Sequence, residues 1–159
     1  MLNINIVCIG KIKEKYLQDA IAEYSKRLSN YCNSKIVELP DEKLPSKTYD
    51  SLLMEVKKKE CDKIISALKK DSYIISLDLK GKQYTSEEFS AKIGKITLTH
   101  STITFVIGGT LGLTDEVRNM SNELISFSKM TFPHQLFRLI LLEQIYRAYK
   151  INNNESYHK

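Results

Sequence analysis

Short apolar runs alternate along this chain with longer segments in which apolar residues recur three and four positions apart. Each short run has the length of a strand and ends at glycine, proline or polar residues. The predicted strands are 4–10, 35–40, 73–79, 102–109 and 123–129. The predicted helices are 14–31, 49–70, 85–95, 114–121 and 134–150, followed by a polar tail at 152–159. This alternation predicts an α/β fold in which helices flank one parallel sheet, in a single domain spanning 1–159.

Local signals support several of these boundaries. Thr85 and Glu88 have the spacing of a capping box, in which each side chain accepts a backbone N–H of the first helical turn. Thr114 is an N-cap residue followed by two acids. Pro133 suits the start of the last helix because it lacks an N–H that the first turn would leave unpaired. The sequence KGKQ at 80–83 predicts a turn after the third strand.

The last helix is apolar on nearly every side at its centre, where LILL occupies 139–142. At about 100° per residue, its polar residues lie on one side at the start and on the opposite side near the end. A helix that packs on one sheet and otherwise faces water keeps a single polar stripe. We therefore expect this helix to pack on its own sheet and also on a second copy of the chain, in a C2 homodimer.

Composition and charge narrow the function classes only slightly. Hydrophobic residues make up 42% of the chain and charged residues 27%, which argues against a disordered protein. The net charge of +5 favours polyanions such as RNA, although a solvated lysine-rich surface, with the lysine run at 57–59, explains the charge equally well.

The cysteines and the apolar runs bear on the compartment. Three widely spaced cysteines predict neither disulfides nor a metal site, and they fit a reducing compartment. The amino terminus has the pattern of a strand rather than a signal peptide, and no run approaches the length of a membrane span. We therefore expect a soluble cytoplasmic protein with no membrane contact.

The carboxyl ends of parallel strands are where ligands bind in α/β sheets. Three of these ends carry candidate ligand residues: 77–79, 107–109 and 127–129. The strand end 107–109 lies in the stretch VIGGTLGL (106–113), whose glycines permit a ligand to approach the backbone closely. It is not a dinucleotide fingerprint, because Ile107 stands where a glycine is required, and no Gly-Lys-Ser/Thr follows as in a phosphate loop. The glycines therefore mark either a tight turn or a ligand loop.

His134 and Arg138 lie one helical turn apart beside the polar loop 127–132. A neutral imidazole can accept a proton near pH 7, and a guanidinium can bind phosphate or developing negative charge. The alternative is a buried helix with a structural histidine. Tyr157 and His158, in the terminal SYHK, are either a frayed tail or part of a site. Neither a serine nucleophile elbow nor a pair of carboxylates supports hydrolytic chemistry.

Four segments together closely resemble the RlmH family, small bacterial methyltransferases of the SPOUT superfamily. They are GKIKEKY, FVIGGTLGL, SFSKMTFPHQLFRLILLEQIYRAYKI and the terminal SYHK. The resemblance spans the whole chain, and the C-terminal block is its most specific part. It implies a SPOUT-like fold with a C-terminal trefoil knot, a homodimer, and S-adenosylmethionine as methyl donor without a metal. The implied reaction is methylation of N3 of pseudouridine 1915 in 23S rRNA, within assembled ribosomes.

The resemblance also implies particular site residues. Those expected to hold S-adenosylmethionine are Leu77, Gly108, Gly109, Phe127, Ser128, Lys129, Met130, Thr131 and Phe132. Those expected at the acceptor site as catalytic residues are His134, Arg138, Tyr157 and His158, with His134 as the base or the orienting group. The tail of one subunit would lie beside the cofactor loop of the other. Lys159 replaces an arginine that often ends family members, and lysine lacks the bidentate fork of arginine.

Two other interpretations remain open at this point. A nicotinamide- or flavin-dependent oxidoreductase would need a phosphate loop early in the chain, where CIGKIKEKY offers a single glycine. A non-catalytic dimeric RNA-binding module would bind RNA without a cofactor and would expose aromatic platforms on its sheet. Against the module, the strands are apolar enough to be buried on both faces.

Overall fold

The computed structural model describes residues 1–47 and 49–159, and its strands and helices alternate along the chain as the apolar pattern predicts. The strands are β1 (Asn3–Ile9), β2 (Asn33–Leu39), β3 (Tyr73–Lys82), β4 (Thr102–Ile107) and β5 (Glu123–Ile125). The helices are α1 (Lys15–Leu28), α2 (Asp50–Ala67), α3 (Ser86–Ile96), α4 (Asp115–Met120) and α5 (His134–Asn152). All strand pairs are parallel, in the order β2-β1-β4-β3-β5. The predicted α/β class with a parallel sheet is confirmed.

The sheet is buried on both faces, as strand β1 illustrates. Ile4 and Ile6 pack into one core, and Val7 and Ile9 pack into another on the opposite face. Helices α1, α3 and α5 cover the first face, with α5 between the other two. Helices α2 and α4 cover the second. Burial on both faces explains why the strands are nearly continuous apolar runs rather than alternating ones.

The predicted helix starts have the expected caps. Thr85 and Glu88 form the full capping box at α3, with both reciprocal hydrogen bonds present. The Thr114 side chain accepts the N–H of Val117 at the start of α4.

The predicted turn at 80–83 is wrong, because β3 continues through Lys82. After an irregularity beyond Leu77, Lys82 pairs with Ile125 of β5, and the Lys82 carbonyl accepts the N–H of Ser126 at 3.0 Å. The strand predicted at 123–129 ends at Ile125. Beyond it the Ser128 hydroxyl accepts the N–H of Met130, so hydrogen bonding within the loop replaces the ladder.

Gly81 is the residue that allows the backbone of β3 to approach the backbone of β5 so closely. A β-carbon built at Gly81 would lie 2.5 Å from the backbone carbon of Ile125 and 2.6 Å from its nitrogen. We expect Gly81→Ala to lower the free energy of unfolding by about 1–3 kcal/mol, because backbone rather than a flexible side chain must move. Urea unfolding measures this change.

Gly94 provides the matched control for that substitution. It lies within α3, and its added β-carbon would meet only the Asn152 amide at 3.7 Å. Gly94→Ala should therefore raise stability by about 0.5–1 kcal/mol through helix propensity. Equal effects of the two alanines would contradict the role given to Gly81.

The three cysteines are free and buried. Burial raises the pKa of Cys8 to about 11 and that of Cys32 also to about 11, so neither thiol ionises near pH 7. In the described part of the chain, no helix is long and apolar enough to cross a membrane.

Candidate functional site

Strands β4, β3 and β5 are neighbours, and their carboxyl ends meet at one edge of the sheet. Leu77 of β3 lies opposite Ile107 of β4 and Ile125 of β5, so the three chains leave the sheet at the same level. They enclose a cavity of about 460 Å³. Its lining comprises 77–80, 107–113, 125–128 and 130–132, together with Arg118, His134 and Phe137. The three strand ends chosen from the sequence therefore form one site.

The glycine loop after β4 makes the first wall. A β-carbon at Gly108 would lie 2.9 Å from Leu113 Cδ2 and 3.0 Å from the carbonyl carbon and oxygen of Gly112. Gly112 has a φ of +80° and donates its N–H to the Gly109 carbonyl at 3.0 Å. The loop thus folds tightly on itself and presents backbone to the cavity, as a ligand loop requires.

Helix α2 packs against the side of this loop that faces away from the cavity. The space beside Gly109 is filled by the buried carboxyl of Glu60, whose Oε1 lies 2.8 Å from a β-carbon built there. The other oxygen of Glu60 accepts the N–H of Glu42, and burial raises the pKa of this carboxyl. Cys61 Sγ accepts the N–H of Thr114 at 3.4 Å. These contacts hold the glycine loop against α2.

Aromatic side chains make the second wall. The Phe127 and Phe137 rings meet edge to face with centroids 5.1 Å apart, and Phe132 stacks on Phe137 at 6.2 Å. Met130 is 74% exposed at the rim of this wall. Apolar rings facing exposed backbone suit a ligand that has a flat apolar part and polar edges.

An ion-pair network that the sequence did not reveal makes the third wall. Arg118 Nε donates to Asp78 Oδ2 at 2.8 Å, and its Nη1 donates to Asp115 Oδ1 at 2.8 Å. Asp78 Oδ1 also accepts the N–H of Lys80. Asp78 and Arg118 are 40 positions apart, so only the fold brings them together, and no spacing signal marks them.

His134 opens α5 and lies half-buried in the cavity lining. Burial lowers the pKa of His134, the positive charge of Arg138 lowers it further, and Asp41 partly opposes both. The imidazole is therefore neutral near pH 7, with a nitrogen lone pair available. Its Nε2 lies 3.9 Å from the position of a β-carbon at Gly10, so the strand end of β1 leaves room for the ring.

Arg138 lies elsewhere than the sequence analysis expected. Its side chain is buried, 1% exposed, and it does not line the cavity. Nη1 donates to Glu38 Oε2 at 2.6 Å and Nη2 donates to the Gly10 carbonyl at 3.1 Å. In this conformation the guanidinium cannot reach an RNA phosphate or a uracil ring. It instead ties the start of α5 to the ends of β1 and β2, which fixes the position of His134 one turn earlier.

The tail also lies away from the cavity within one chain. Tyr157 donates to Glu143 Oε1 at 3.2 Å, and its ring packs on Tyr146. His158 Nε2 lies 2.7 Å from Glu87 Oε1. At 1.5 Å per helical residue, Glu143 is about 14 Å along α5 from His134. The fold therefore gathers all but one of the residues expected to hold the cofactor, Lys129 being outside the lining, but it brings neither tail residue to His134.

Comparison with known proteins identifies the family of this chain. A family model described as "Predicted SPOUT methyltransferase" matches residues 2–158. A ribosomal RNA large subunit methyltransferase H from Clostridium novyi is 57% identical, over 99% of this chain and all of that protein. The protein of the same name from Clostridium acetobutylicum is 54% identical with the same coverage.

Two solved structures share the fold at low sequence identity. A methylase family protein from Haemophilus influenzae Rd KW20 has a TM-score of 0.57 and 14% identity, covering 98% of this chain and 70% of that one. A Legionella pneumophila methyltransferase, solved in complex with the bound cofactor SAM, has a TM-score of 0.51 and 13% identity, covering 93% and 66%. With a family match from residue 2 to residue 158 and a parallel sheet whose strand ends form one cavity, this chain belongs to the SPOUT methyltransferase family.

Proposed function

We propose that this protein transfers a methyl group from S-adenosylmethionine to large-subunit ribosomal RNA, at N3 of pseudouridine 1915 in 23S rRNA on assembled ribosomes. The observation that carries the proposal is the cavity at the adjacent ends of β3, β4 and β5, with its tight glycine loop. Family membership supports the reaction class. The names of the full-length relatives support the RNA substrate, and the resemblance of the C-terminal block supports the target atom.

The residues present fit the methyl donor. Because Gly108 has no side chain, the loop closes tightly against Gly112 and Leu113, and its backbone lines the cavity, where a ligand can lie against it. Leu77 and the ring of Phe127 supply apolar surface on which a purine could pack, and 128 and 130–132 also line the cavity. The cavity of about 460 Å³ is within the range of small-molecule sites.

Bound S-adenosylmethionine supplies a methyl group already activated on a sulfonium, so the protein mainly orients the acceptor and excludes water. Transfer breaks the sulfur–methyl bond, forms the methyl–N3 bond and releases the N3 proton. His134, kept neutral by burial, takes that proton or orients the N3–H toward water. Arg138 acts through His134, by holding the start of α5 in place.

A homodimer completes this proposal. Leu136 on α5 is 37% exposed, and Ile140 one turn later is half-buried, so an apolar stripe faces away from the sheet. Such a stripe suits a second copy of the chain. Because Tyr157 and His158 lie far along α5 from His134 in their own chain, they can serve a transfer site only in the partner. The trefoil knot remains a prediction from the family resemblance.

Deleting residues 156–159 tests the composite site. We expect methyl transfer to fall at least about 100-fold, because the partner's site loses its phenol and imidazole, groups of the kind that contribute about 10²–10⁴-fold. Sedimentation should still show a dimer, and affinity for S-adenosylmethionine should persist. Ser156→Ala, at an exposed position within the same segment, serves as the control. Full activity of the truncated chain would rule out a role for the tail.

The proposed reaction is tested by incubating the purified protein with labelled S-adenosylmethionine and assembled ribosomes that lack the modification. Mass spectrometry of nuclease fragments then locates the methyl group. Incorporation at N3 of pseudouridine 1915 would support the proposal. Incorporation at another nucleotide would reject the target but keep the reaction class. A protein that binds RNA but neither binds nor uses the donor would be the non-catalytic RNA-binding module instead.

A further inference from the structure

A second concavity, separate from the cofactor cavity, runs along the edge of the molecule between β3 and α3. Its volume is about 520 Å³, and we call it the lysine groove. Lys82, Lys92, Lys95, Tyr73 and Tyr84 are the residues of its lining that matter here. On α3 the lining extends from Glu88 to Ile96, which corresponds to about 12 Å of helix. The groove is therefore long and open rather than a closed site for a small molecule.

The three lysines that line the groove differ in whether they form an ion pair with a carboxylate. Lys92 forms an ion pair with Glu123 at 2.8 Å. Within residues 1–47 and 49–159, Lys82 and Lys95 have no carboxylate within ion-pair distance. The one acid of the lining, Glu88, keeps its charge but accepts the Thr85 N–H in the α3 capping box rather than pairing with a lysine, and the lining holds three lysines against it. The groove thus presents positive charge that the protein itself does not neutralise.

Tyr84 gives the groove a fixed aromatic surface. Its ring has Lys82 Nζ at 5.0 Å from the centroid and Lys92 Nζ at 5.2 Å, and its hydroxyl donates to Glu123. These contacts hold the ring and both ammonium groups together. Interleaved aromatic rings and cations are the surface chemistry that tracks a single-stranded nucleic acid.

The groove and the cofactor cavity are near each other along β3. Residues 77–80 line the cavity, and Lys82, two positions further, lines the groove. Ile125, whose backbone packs against Gly81, also lines the cavity. An RNA strand whose target base enters the cavity would therefore have its neighbouring nucleotides at the mouth of the groove.

We propose that the lysine groove binds the phosphodiester backbone of the substrate RNA next to the nucleotide that is methylated. This inference rests on the proposed RNA methyltransferase function. Lys82 and Lys95 bind phosphates as point charges, which positions the strand without reading its sequence. The protein's net charge is only +5, so its hold on RNA depends on where unpaired cations lie rather than on overall charge.

The test neutralises both lysines in Lys82→Gln/Lys95→Gln and measures binding of a labelled short single-stranded RNA by fluorescence anisotropy as salt is raised. Each lost phosphate contact lowers the slope of log K against log salt by about 0.7, so the slope should fall by about 1.4. Affinity at low salt should fall about tenfold. Lys82→Arg/Lys95→Arg should restore both. Calorimetry should show unchanged affinity for S-adenosylmethionine, which confirms that the variant is folded.

The matched control is Lys26→Gln/Lys35→Gln, which removes the same charge from α1 and β2, near the opposite edge of the sheet. Equal slopes and affinities in the two double variants would overturn the proposal. An unchanged RNA affinity with a raised KM for ribosomal subunits would also overturn it, because the groove would then contact a ribosomal protein. Since the RNA assay contains no methyl donor, it can succeed even if methyl transfer fails, which keeps the two proposals separable.

Discussion

Replacing His134 by alanine is expected to lower the rate of methyl transfer by about 10²–10⁴-fold at saturating S-adenosylmethionine, the range that general acid–base groups contribute. The ring lines the cavity at the start of α5, and its position is fixed from behind by Arg138, Glu38 and the Gly10 carbonyl. Single-turnover transfer to assembled ribosomes measures the chemical step directly. A rate within threefold of the wild-type rate would show that His134 neither accepts the N3 proton nor orients the acceptor.

The pH dependence follows from the lowered pKa of His134. Burial and the Arg138 charge disfavour the imidazolium, so the imidazole loses its proton at a pH below its ordinary value of about 6.5. As the pH falls, transfer should therefore stay constant through 6.5 and decline only below it, where the base becomes protonated. A decline already centred above 6.5 would contradict this assignment.

A glutamine at position 134 separates the two roles left open for His134. Glutamine can orient an N3–H by hydrogen bonding but cannot accept its proton near pH 7. If His134 is the base, His134→Gln should be as slow as His134→Ala, and its rate should no longer decline as the pH falls below about 6.5. If His134 only orients the acceptor, glutamine should recover a large part of the rate.

Replacing Gly108 by valine is expected to abolish measurable binding of S-adenosylmethionine. The new β-carbon would lie 3.0 Å from the Gly112 backbone and 2.9 Å from the Leu113 side chain, so the loop must open. Opening the loop would displace the backbone of 108–113 that lines the cavity, against which the ligand is proposed to lie. Isothermal calorimetry measures the loss, and circular dichroism establishes that the fold persists.

Gly94→Ala is the control for this substitution too, because it adds a β-carbon to α3 with only an ordinary contact. It should bind the donor like the wild-type protein. Wild-type affinity in Gly108→Val would show that the methyl donor does not use the glycine loop.

The centre of the sheet could be predicted because β1, β3 and β4 each contain an apolar run long enough for burial on both faces. The site could be predicted because 77–79 and 107–109 follow such runs, and the fold places β3 beside β4 with Leu77 opposite Ile107. Pairing of strand ends in this way depends on the general geometry of parallel sheets rather than on details of side chains.

Other features depend on contacts that local patterns do not contain. The spacing of His134 and Arg138 showed that they share a side of α5, but not that Glu38, 100 positions away, would bury the guanidinium. The KGKQ segment has turn composition, yet it continues β3 because Gly81 lets backbone pack on β5. The Asp78–Arg118 pair likewise exists only once β3 and α4 meet.

The most direct test of the central claim is a calorimetric titration of the purified protein with S-adenosylmethionine, with NADH as the control ligand. We predict saturable binding of S-adenosylmethionine, no binding of NADH, and loss of the S-adenosylmethionine signal in Gly108→Val. A folded protein that shows no binding of S-adenosylmethionine would contradict the assignment of the cavity between 77–80, 107–113 and 125–132 as a methyl-donor site.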